Sequence, residues 1–317
     1  MNVLVTGATG FIGLNLLHAL DEGATGDGTI ELVAMVRPST STARLPEGTE
    51  TVEADLRDPD SLRAAMVETD ADAVVHLGAA VYETAEMAGT NTVGTENLVD
   101  AAAEAGVDRF LFVSTIGAHP DVPADAGSPY QQSKVESERL LFGREHPFEV
   151  SALYPTYIFG PRDYRLTRYD VVRIIAANRV LVPPLYTHDE YNVVHVADVV
   201  DSLIHCLTAE RGGAAGRHLV TGPNLSNGQV LRTIARHAPG SCTVVGVPYA
   251  LTRWGIKPAM DLLYRVGVSP VPGEGFLERG DFGTVAPPLE SQAPVEQHPW
   301  ERALADTVAW YERVGLL

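Results

Sequence analysis

Apolar positions along this chain follow two periods, and the two alternate. Residues 2–6 (Asn-Val-Leu-Val-Thr) form a near-continuous apolar run, the pattern of a parallel strand buried on both faces. Between residues 12 and 22, Ile12, Leu16, Leu17 and Leu20 recur at helical spacing, and Gly23 closes the segment. Further apolar strands are predicted over 31–36, 73–77, 110–114 and 150–154, separated by helices over 60–68, 92–105 and 130–144. Strand alternating with helix implies right-handed crossovers, so the fold class is α/β: a doubly wound parallel sheet with helices on both faces.

The texture changes after about residue 160, where Gly160-Pro161-Arg162-Asp163 opens a turn and Pro183-Pro184 another. Helices are predicted over 198–209, 228–237 and 300–314, and the proline- and glycine-rich stretch 269–298 reads as a long irregular connection or lid. The larger domain therefore spans residues 1–160 and takes a later strand and helix from about 190–210. A smaller C-terminal lobe lies mainly within 161–317.

Composition narrows the partners. A formal net charge of -18 over 317 residues repels phosphate, which argues against a nucleic-acid or anionic-membrane partner. No run approaches the ~18 apolar residues of a membrane span, and the start lacks a basic, cleavable leader, so a soluble cytoplasmic protein is expected. Cys206 and Cys242 are too few for a disulfide framework and read as buried thiols; no Cys/His cluster suggests a metal.

Candidate chemistry begins where the first strand ends. Gly7, Gly10 and Gly13 let the backbone turn sharply, let a pyrophosphate approach the main chain, and let helix pack on strand. The amides opening the helix at Phe11 and Ile12 supply the positive end of a helix dipole. This is the loop of a Rossmann-type dinucleotide site. The second strand ends Met35-Val36-Arg37-Pro38, without the carboxylate that would bond the 2'-hydroxyl of NAD. Arg37 suits a 2'-phosphate, so NADP is preferred over NAD, the plainer reading being a surface arginine.

The chain holds 2 lysines against 21 arginines, and Lys134 follows Tyr130 by one helical turn in Tyr130-Gln-Gln-Ser-Lys134, so both side chains leave one face. Together with Thr6-Gly-Ala-Thr-Gly-Phe-Ile-Gly13, this segment resembles the extended branch of the short-chain dehydrogenase/reductase superfamily, the epimerase/dehydratase family. Ala54-Asp55-Leu56-Arg57-Asp58, Val74-Val-His-Leu-Gly-Ala-Ala80, Asn91-Thr-Val-Gly-Thr-Glu-Asn-Leu98, Val113-Ser-Thr115 and Val194-His-Val-Ala-Asp-Val199 fit that branch in order. The resemblance implies cofactor contacts from the loop Gly7 to Gly13, Thr9 included, with Asp55 and Leu56 flanking the adenine. It implies Leu77, Gly78, Ala79 and Ala80 along the diphosphate and ribose, and Pro155 and Ile158 near the nicotinamide carboxamide. The family usually has Arg where Tyr154 stands. It also commonly dimerises through the helices here over 92–105 and 130–144, so a homodimer is expected.

A free phenol, with a pKa of ~10, is a poor base near neutrality, but a nearby ammonium favours the phenolate. Tyr130 is therefore the general acid/base, and Lys134 the pKa modifier and cofactor clamp. The resemblance makes Thr115 the hydroxyl that orients the substrate oxygen, with Ser114 as runner-up, and gives Asn91 the ordering of a proton path or of neighbouring backbone. His76 reads as a satisfied core residue, His195 as a residue near the pocket, and His119 and His188 as loop residues. Where relatives acting on nucleotide sugars carry a diphosphate-gripping arginine, this chain has Tyr191-Asn192; Arg162, Arg165 and Arg168 are possible replacements. Tyr157 and Tyr191, with Phe159, Tyr164 and Tyr186, would line an apolar substrate site, or simply pack the smaller lobe. Ile116-Gly117 follow Thr115 where dehydratases often place acids, which disfavours a dehydratase. The expectation is an NAD(P)-dependent oxidoreductase acting on a secondary alcohol or ketone. The alternatives are a nucleotide-sugar 4-epimerase retaining NAD, and a non-catalytic dinucleotide-binding regulator.

Overall fold

The structure, a computed structural model, describes residues 1–23, 30–81, 87–121, 128–164, 172, 175–177, 180–181, 190–246, 251–267 and 295–317. The described chain divides into two compact units. The first is built from Met1–Thr156 and Val196–Thr221, with the described part of Pro288–Gln297. The second contains described parts of Tyr157–His195 and Gly222–Pro287, with His298–Leu317.

The first unit alternates strand and helix: β1 Asn2–Thr6, α1 Phe11–Asp21, β2 Glu31–Val36, β3 Glu50–Glu53, α2 Pro59–Thr69 and β4 Ala73–His76. A π-helical turn, Ala88–Val93, leads into α3 Gly94–Ala105, followed by β5 Arg109–Val113, α4 Pro129–Phe142 and β6 Glu149–Pro155. After the second unit's β7 Tyr157–Phe159, β8 Val180–Leu181 and β9 Glu190–His195, the chain adds α5 Val196–Thr208 and β10 Gly216–Val220. The sheet runs β10-β6-β5-β4-β1-β2-β3, with every neighbouring pair parallel. Strand order reverses between β1 and β4, and such a switch point opens a ligand crevice at the carboxyl ends of the strands.

The strands read as apolar runs because both faces are covered. Leu4, Val74, Phe110 and Phe112 join one core cluster with Leu62 and Met66 of α2, Leu98 and Val99 of α3, and Leu141 of α4. Val3, Val5, Val75 and Leu111, one residue out of step, are fully buried as well, while α1 packs on α5. Each such side chain contributes ~1.5–3 kcal/mol by leaving water.

Local signals fix the helix starts. Asp58 caps α2 by accepting from the amides of Asp60 and Ser61, with Pro59 in the first turn. Ser128 and Gln131 form a capping box on α4, which fixes the register that presents Tyr130 and Lys134. The guanidinium of Arg109 donates to Cys206 O at 3.0 Å and to Leu207 O and Ala209 O at 2.5 Å, closing the carboxyl end of α5.

The second unit holds a three-stranded sheet, β11-β9-β7, in which β11 is Asn224–Ser226. β8 pairs with β12, Thr243–Val244. Among the described residues its helices include α6 Asn227–His237, α7 Lys257–Arg265 and α8 Trp300–Arg313. Leu225, Leu231, Ile234, Leu304, Val308 and Tyr311 lie in its core.

Four features depart from the sequence pattern. The strand over 190–195 does not complete the large sheet: β9 pairs with β7, both belong to the second unit, and β10 takes the sheet edge. The boundary accordingly falls at Thr156 rather than near 160. The helix over 92–105 begins earlier, as a π-helical turn from Ala88. Cys242 is half-buried rather than buried. Pro183-Pro184 and most of the 269–298 stretch lie outside the described residues.

Candidate active site

The glycine turn is forced by close approach. Gly7 has φ +67°, and a Cβ there would sit 2.7 Å from Gly78 N and Leu77 C. A Cβ on Gly13 would lie 2.5 Å from Gly7 O. Between them, Gly10 precedes α1 in extended conformation, with no side-chain cap and no acidic residue in the first helical turn. The partly exposed Thr9, Gly10, Phe11 and Ile12 thus border a helix start whose amides no side chain satisfies, as a diphosphate requires.

The walls of this crevice come from neighbouring strand ends. Leu77, Gly78, Ala79 and Ala80 follow β4 and are half-buried. Leu56 is buried, and its carbonyl accepts from Asn97 Nδ2 at 2.9 Å. Asp55 is gripped by Arg57, whose Nη2 lies 2.8 Å from Oδ2 and Nε 3.1 Å from Oδ1. Hydrogen bonding by Arg57 is the largest effect holding the Asp55 carboxyl below its ordinary range, with desolvation opposing and the Arg37 charge adding a smaller push. Arg37 is exposed just beyond β2. The bare helix start, the glycine contacts that exclude any Cβ and the exposed guanidinium all fit a dinucleotide.

Tyr130 and Lys134 sit on α4 as their spacing requires. Lys134 is 3% exposed, donates from Nζ to Val113 O at 2.9 Å, and stands 4.5 Å from the Phe112 ring and 5.9 Å from the Tyr130 ring centroid. Burial pushes the lysine down to about 7 and the tyrosine up to about 12. A nearby ammonium would lower the Tyr130 pKa; in the protein alone the cause that moves it is desolvation, which raises it, and the phenol stays protonated. Thr115 is half-buried two residues beyond Val113, in extended conformation before a short 3-10 turn. Ser114 Oγ is buried with no hydrogen-bond partner among the described residues.

Asn91 orders backbone. Its Oδ1 accepts from Ala80 N at 2.7 Å, and its Nδ2 donates to Ala80 O and Ser133 Oγ, each at 2.9 Å. Ser133 donates in turn to Tyr130 O at 2.8 Å. The π-helical turn leaves Asn91 O to accept from the hydroxyls of Thr95 and Ser137. His76, buried and bonded on both ring nitrogens, reads as the satisfied core histidine its strand suggested.

Tyr154, standing where the family usually has Arg, bonds to Glu138 Oε1 at 3.3 Å. Arg217 of β10 pairs with the same carboxylate, its Nε at 2.6 Å, and stacks 3.8 Å over Phe142. The positive charge therefore reaches Glu138 from the adjacent strand. Glu138 lies one turn beyond Lys134, so this clamp also holds the helix that carries the lysine. Pairing across the sheet edge brings Arg217 to Glu138, and no local pattern signals it.

Pro155 is buried at the end of β6, and Ile158 is half-buried in β7 of the second unit. Tyr157 and Tyr191 are also in the second unit, rings edge-on at 6.2 Å, and border an apolar cavity with Phe159, Leu225 and Trp300. It holds about 40 Å³, with Tyr191 buried in the core of the unit and Tyr157 partly buried against it. His195 lies 5.3 Å from the Phe159 ring and 5.7 Å from the His298 ring in the same unit. His119 stands edge-on to Tyr154 at 4.8 Å. Arg165, Arg168, Tyr186 and His188 lie outside the described residues. Among the described residues, no His/Cys/Asp/Glu cluster could hold a metal, and no helix is long and apolar enough to cross a membrane.

A parallel doubly wound sheet, a glycine turn at its switch point and Tyr130 with Lys134 on one helix face define an NAD(P)-dependent enzyme of the extended short-chain dehydrogenase/reductase type. The chain belongs to the NAD dependent epimerase/dehydratase family, whose model matches residues 3–222. It is 28% identical to the "Sterol demethylase protein B" of Methylococcus capsulatus across 100% of both chains. It is 30% identical to a UDP-glucose 4-epimerase of Mycolicibacterium smegmatis over 68% of this chain and 74% of that one. The structure of the Thermus thermophilus UDP-glucose 4-epimerase in complex with NAD superposes with a TM-score of 0.66 at 21% identity, covering 100% of each chain. Relatives include epimerases, dehydratases and reductases, so membership fixes the family and not the reaction.

Proposed function

We propose that this protein moves a hydride between a nicotinamide dinucleotide, NADP in preference to NAD, and a secondary alcohol or ketone on a small, largely apolar molecule. The observation that carries the reading is Tyr130 and Lys134 on one face of α4, with Lys134 Nζ bonded to Val113 O on the strand end that leads to Thr115. The dinucleotide supplies or accepts the hydride, and this chain's residues manage the proton. Burial keeps Tyr130 a phenol, the form that donates to a carbonyl oxygen during reduction. Lys134 offers ammonium donors to the nicotinamide ribose, and the Thr115 hydroxyl holds the substrate oxygen and shares its developing charge.

Arg37, exposed at the end of β2 without a carboxylate beside it in sequence, supports the preference for a 2'-phosphate. Two observations support an apolar substrate. Tyr191 stands where a diphosphate-gripping arginine would be and is buried in the core of the second unit, so no guanidinium is offered from that position. The full-length relative named as a sterol demethylase protein points the same way. The second reading, a 4-epimerase recycling a retained NAD, is favoured by the UDP-glucose 4-epimerase relative. A homodimer through α3 and α4 is part of the proposal; light scattering giving a monomer across working concentrations would remove it.

The test is to denature freshly purified protein, identify any released nucleotide, and titrate the stripped protein with NADPH and NADH by fluorescence. An empty protein preferring NADPH supports the reductase. Near-stoichiometric NAD shifts the reading to the epimerase, and binding of neither nucleotide overturns both.

A further inference from the structure

A buried chain of hydrogen bonds joins the cofactor wall to the segment that holds the catalytic helix, and His76 is its middle link. Thr6 Oγ1 accepts from Leu77 N at 3.2 Å and Gly78 N at 3.1 Å. The Leu77 amide is shared with Thr6 O; at the other end the Thr95 hydroxyl donates to Asn91 O and so accepts the ring proton from His76 Nε2, which leaves the Thr6 hydroxyl to donate to Nδ1, 2.7 Å away. The bare nitrogen is thus Nδ1, and the ring proton sits on Nε2, 2.9 Å from Thr95 Oγ1. The Thr95 hydroxyl then donates to Asn91 O at 2.5 Å. Every bond runs in one direction, from the amides of Leu77 and Gly78 to the carbonyl of Asn91. The Asn91 side chain carries the connection on through Ser133 to Tyr130 O.

We infer that His76, as the neutral Nε2–H tautomer, is a positioning residue that couples the Leu77–Gly78 cofactor wall to Asn91 and the Tyr130 helix. The inference rests on the dinucleotide-dependent reading above. An imidazolium at this place would present an N–H to the hydroxyl proton of Thr6 and force the threonine to turn away from Leu77 and Gly78. The surroundings oppose that charge: Phe112 stacks on the ring at 5.7 Å, Phe110 meets it edge-on at 6.1 Å, and the Lys134 ammonium on α4 repels a second cation. Thr6 on β1 and Thr95 on α3 are uncharged.

The two ends of the link can be cut separately, because an Asn amide falls near the place of Nδ1 and a Gln amide near that of Nε2. His76→Asn keeps an acceptor for Thr6 and loses the donor to Thr95; His76→Gln does the reverse. NADPH affinity by fluorescence reports the wall, and hydrogen exchange of the α4 amides reports the catalytic helix. His76→Gln is expected to weaken NADPH about tenfold with α4 exchange unchanged, the scale of one lost buried hydrogen bond. His76→Asn is expected to speed α4 exchange about tenfold with NADPH affinity within about threefold. Equal losses on both readouts in both variants, or no loss in either, would overturn the inference. Should the variants not fold, imidazole ¹⁵N NMR of the unaltered protein decides: a neutral Nε2–H ring at pH 7 supports it, and an Nδ1–H ring or an imidazolium overturns it. If the unaltered protein binds neither nucleotide, the functional proposal fails, while the ring tautomer still tests the hydrogen-bond chain by itself.

Discussion

Replacing Lys134 with Met should stabilise the nucleotide-free protein while destroying its activity, and the gain should depend on pH. The side chain is 3% exposed, and burial lowers its pKa from 10.5 to about 7. At ~1.36 kcal/mol per pH unit, this drop corresponds to an upper figure of ~5 kcal/mol for burying the ammonium. Methionine has a similar volume and no charge, but it leaves Val113 O without the donor now 2.9 Å away, which costs ~1–3 kcal/mol. The net gain at pH 6 is therefore ~2–4 kcal/mol. Below about pH 7 both folded and unfolded wild-type chains carry the proton, so the burial cost is complete. From about 7 to 10.5 the unfolded chain holds a proton that the folded chain has lost, and wild-type stability rises with pH. By pH 9 about two pH units of that window, ~3 kcal/mol, have been recovered, and the variant's advantage should be close to zero. Thermal or urea unfolding of both proteins at pH 6, 7.5 and 9 measures the gap. A Met variant less stable than wild type at pH 6, or a gap that does not narrow by pH 9, would refute the argument.

Tyr130→Phe removes the proton donor and little else; turnover should fall at least ~100-fold with NADPH affinity within about threefold, measured by fluorescence titration and product assay. Gly7→Ala meets both a positive φ and backbone 2.7 Å away, whereas Gly48→Ala meets only a positive φ of +85° in open space. Urea unfolding should show a loss above ~3 kcal/mol for the first and near ~1 kcal/mol for the second. Arg37→Ser should weaken NADPH about tenfold or more and leave NADH nearly unchanged. Glu138→Gln leaves Arg217 without its anionic partner; a loss of ~1–3 kcal/mol in urea is expected, and no loss would remove the clamp from the account of α4.

The parts of the fold legible in the sequence are those where local pattern and burial agree. Val3, Leu4 and Val5 read as a doubly covered strand, and the central strands are doubly covered. β3 escaped because Glu50, Thr51 and Glu53 are exposed at the sheet edge and only Val52 is buried. β9 carries the apolar signature of a central strand and is one, but between β11 and β7 rather than in the large sheet; pairing is a long-range choice that periodicity does not encode. In the site, the glycine turn and the Tyr130–Lys134 spacing are local and readable. The roles of Thr6, Thr95, Ser133 and Arg217 depend on contacts between distant segments. Thr6 and Ser133 lay inside recognised motifs, but only the direction of their hydrogen bonds reveals what they do.

The first unit is discontinuous in the chain, and that bears on how the protein is made. Glu138 and Arg217 are separated by 79 positions. At ~5–20 residues per second of synthesis, the carboxylate waits ~4–16 s for the guanidinium that joins it at the sheet edge. In that interval a nascent chain ending near residue 200 has no β10, leaves β6 as a bare edge, and holds α4 without the Arg217 clamp. The complete first unit therefore cannot form during synthesis of the amino-terminal half alone, and expression of that half would yield a chain with an open strand edge, prone to associate with copies of itself.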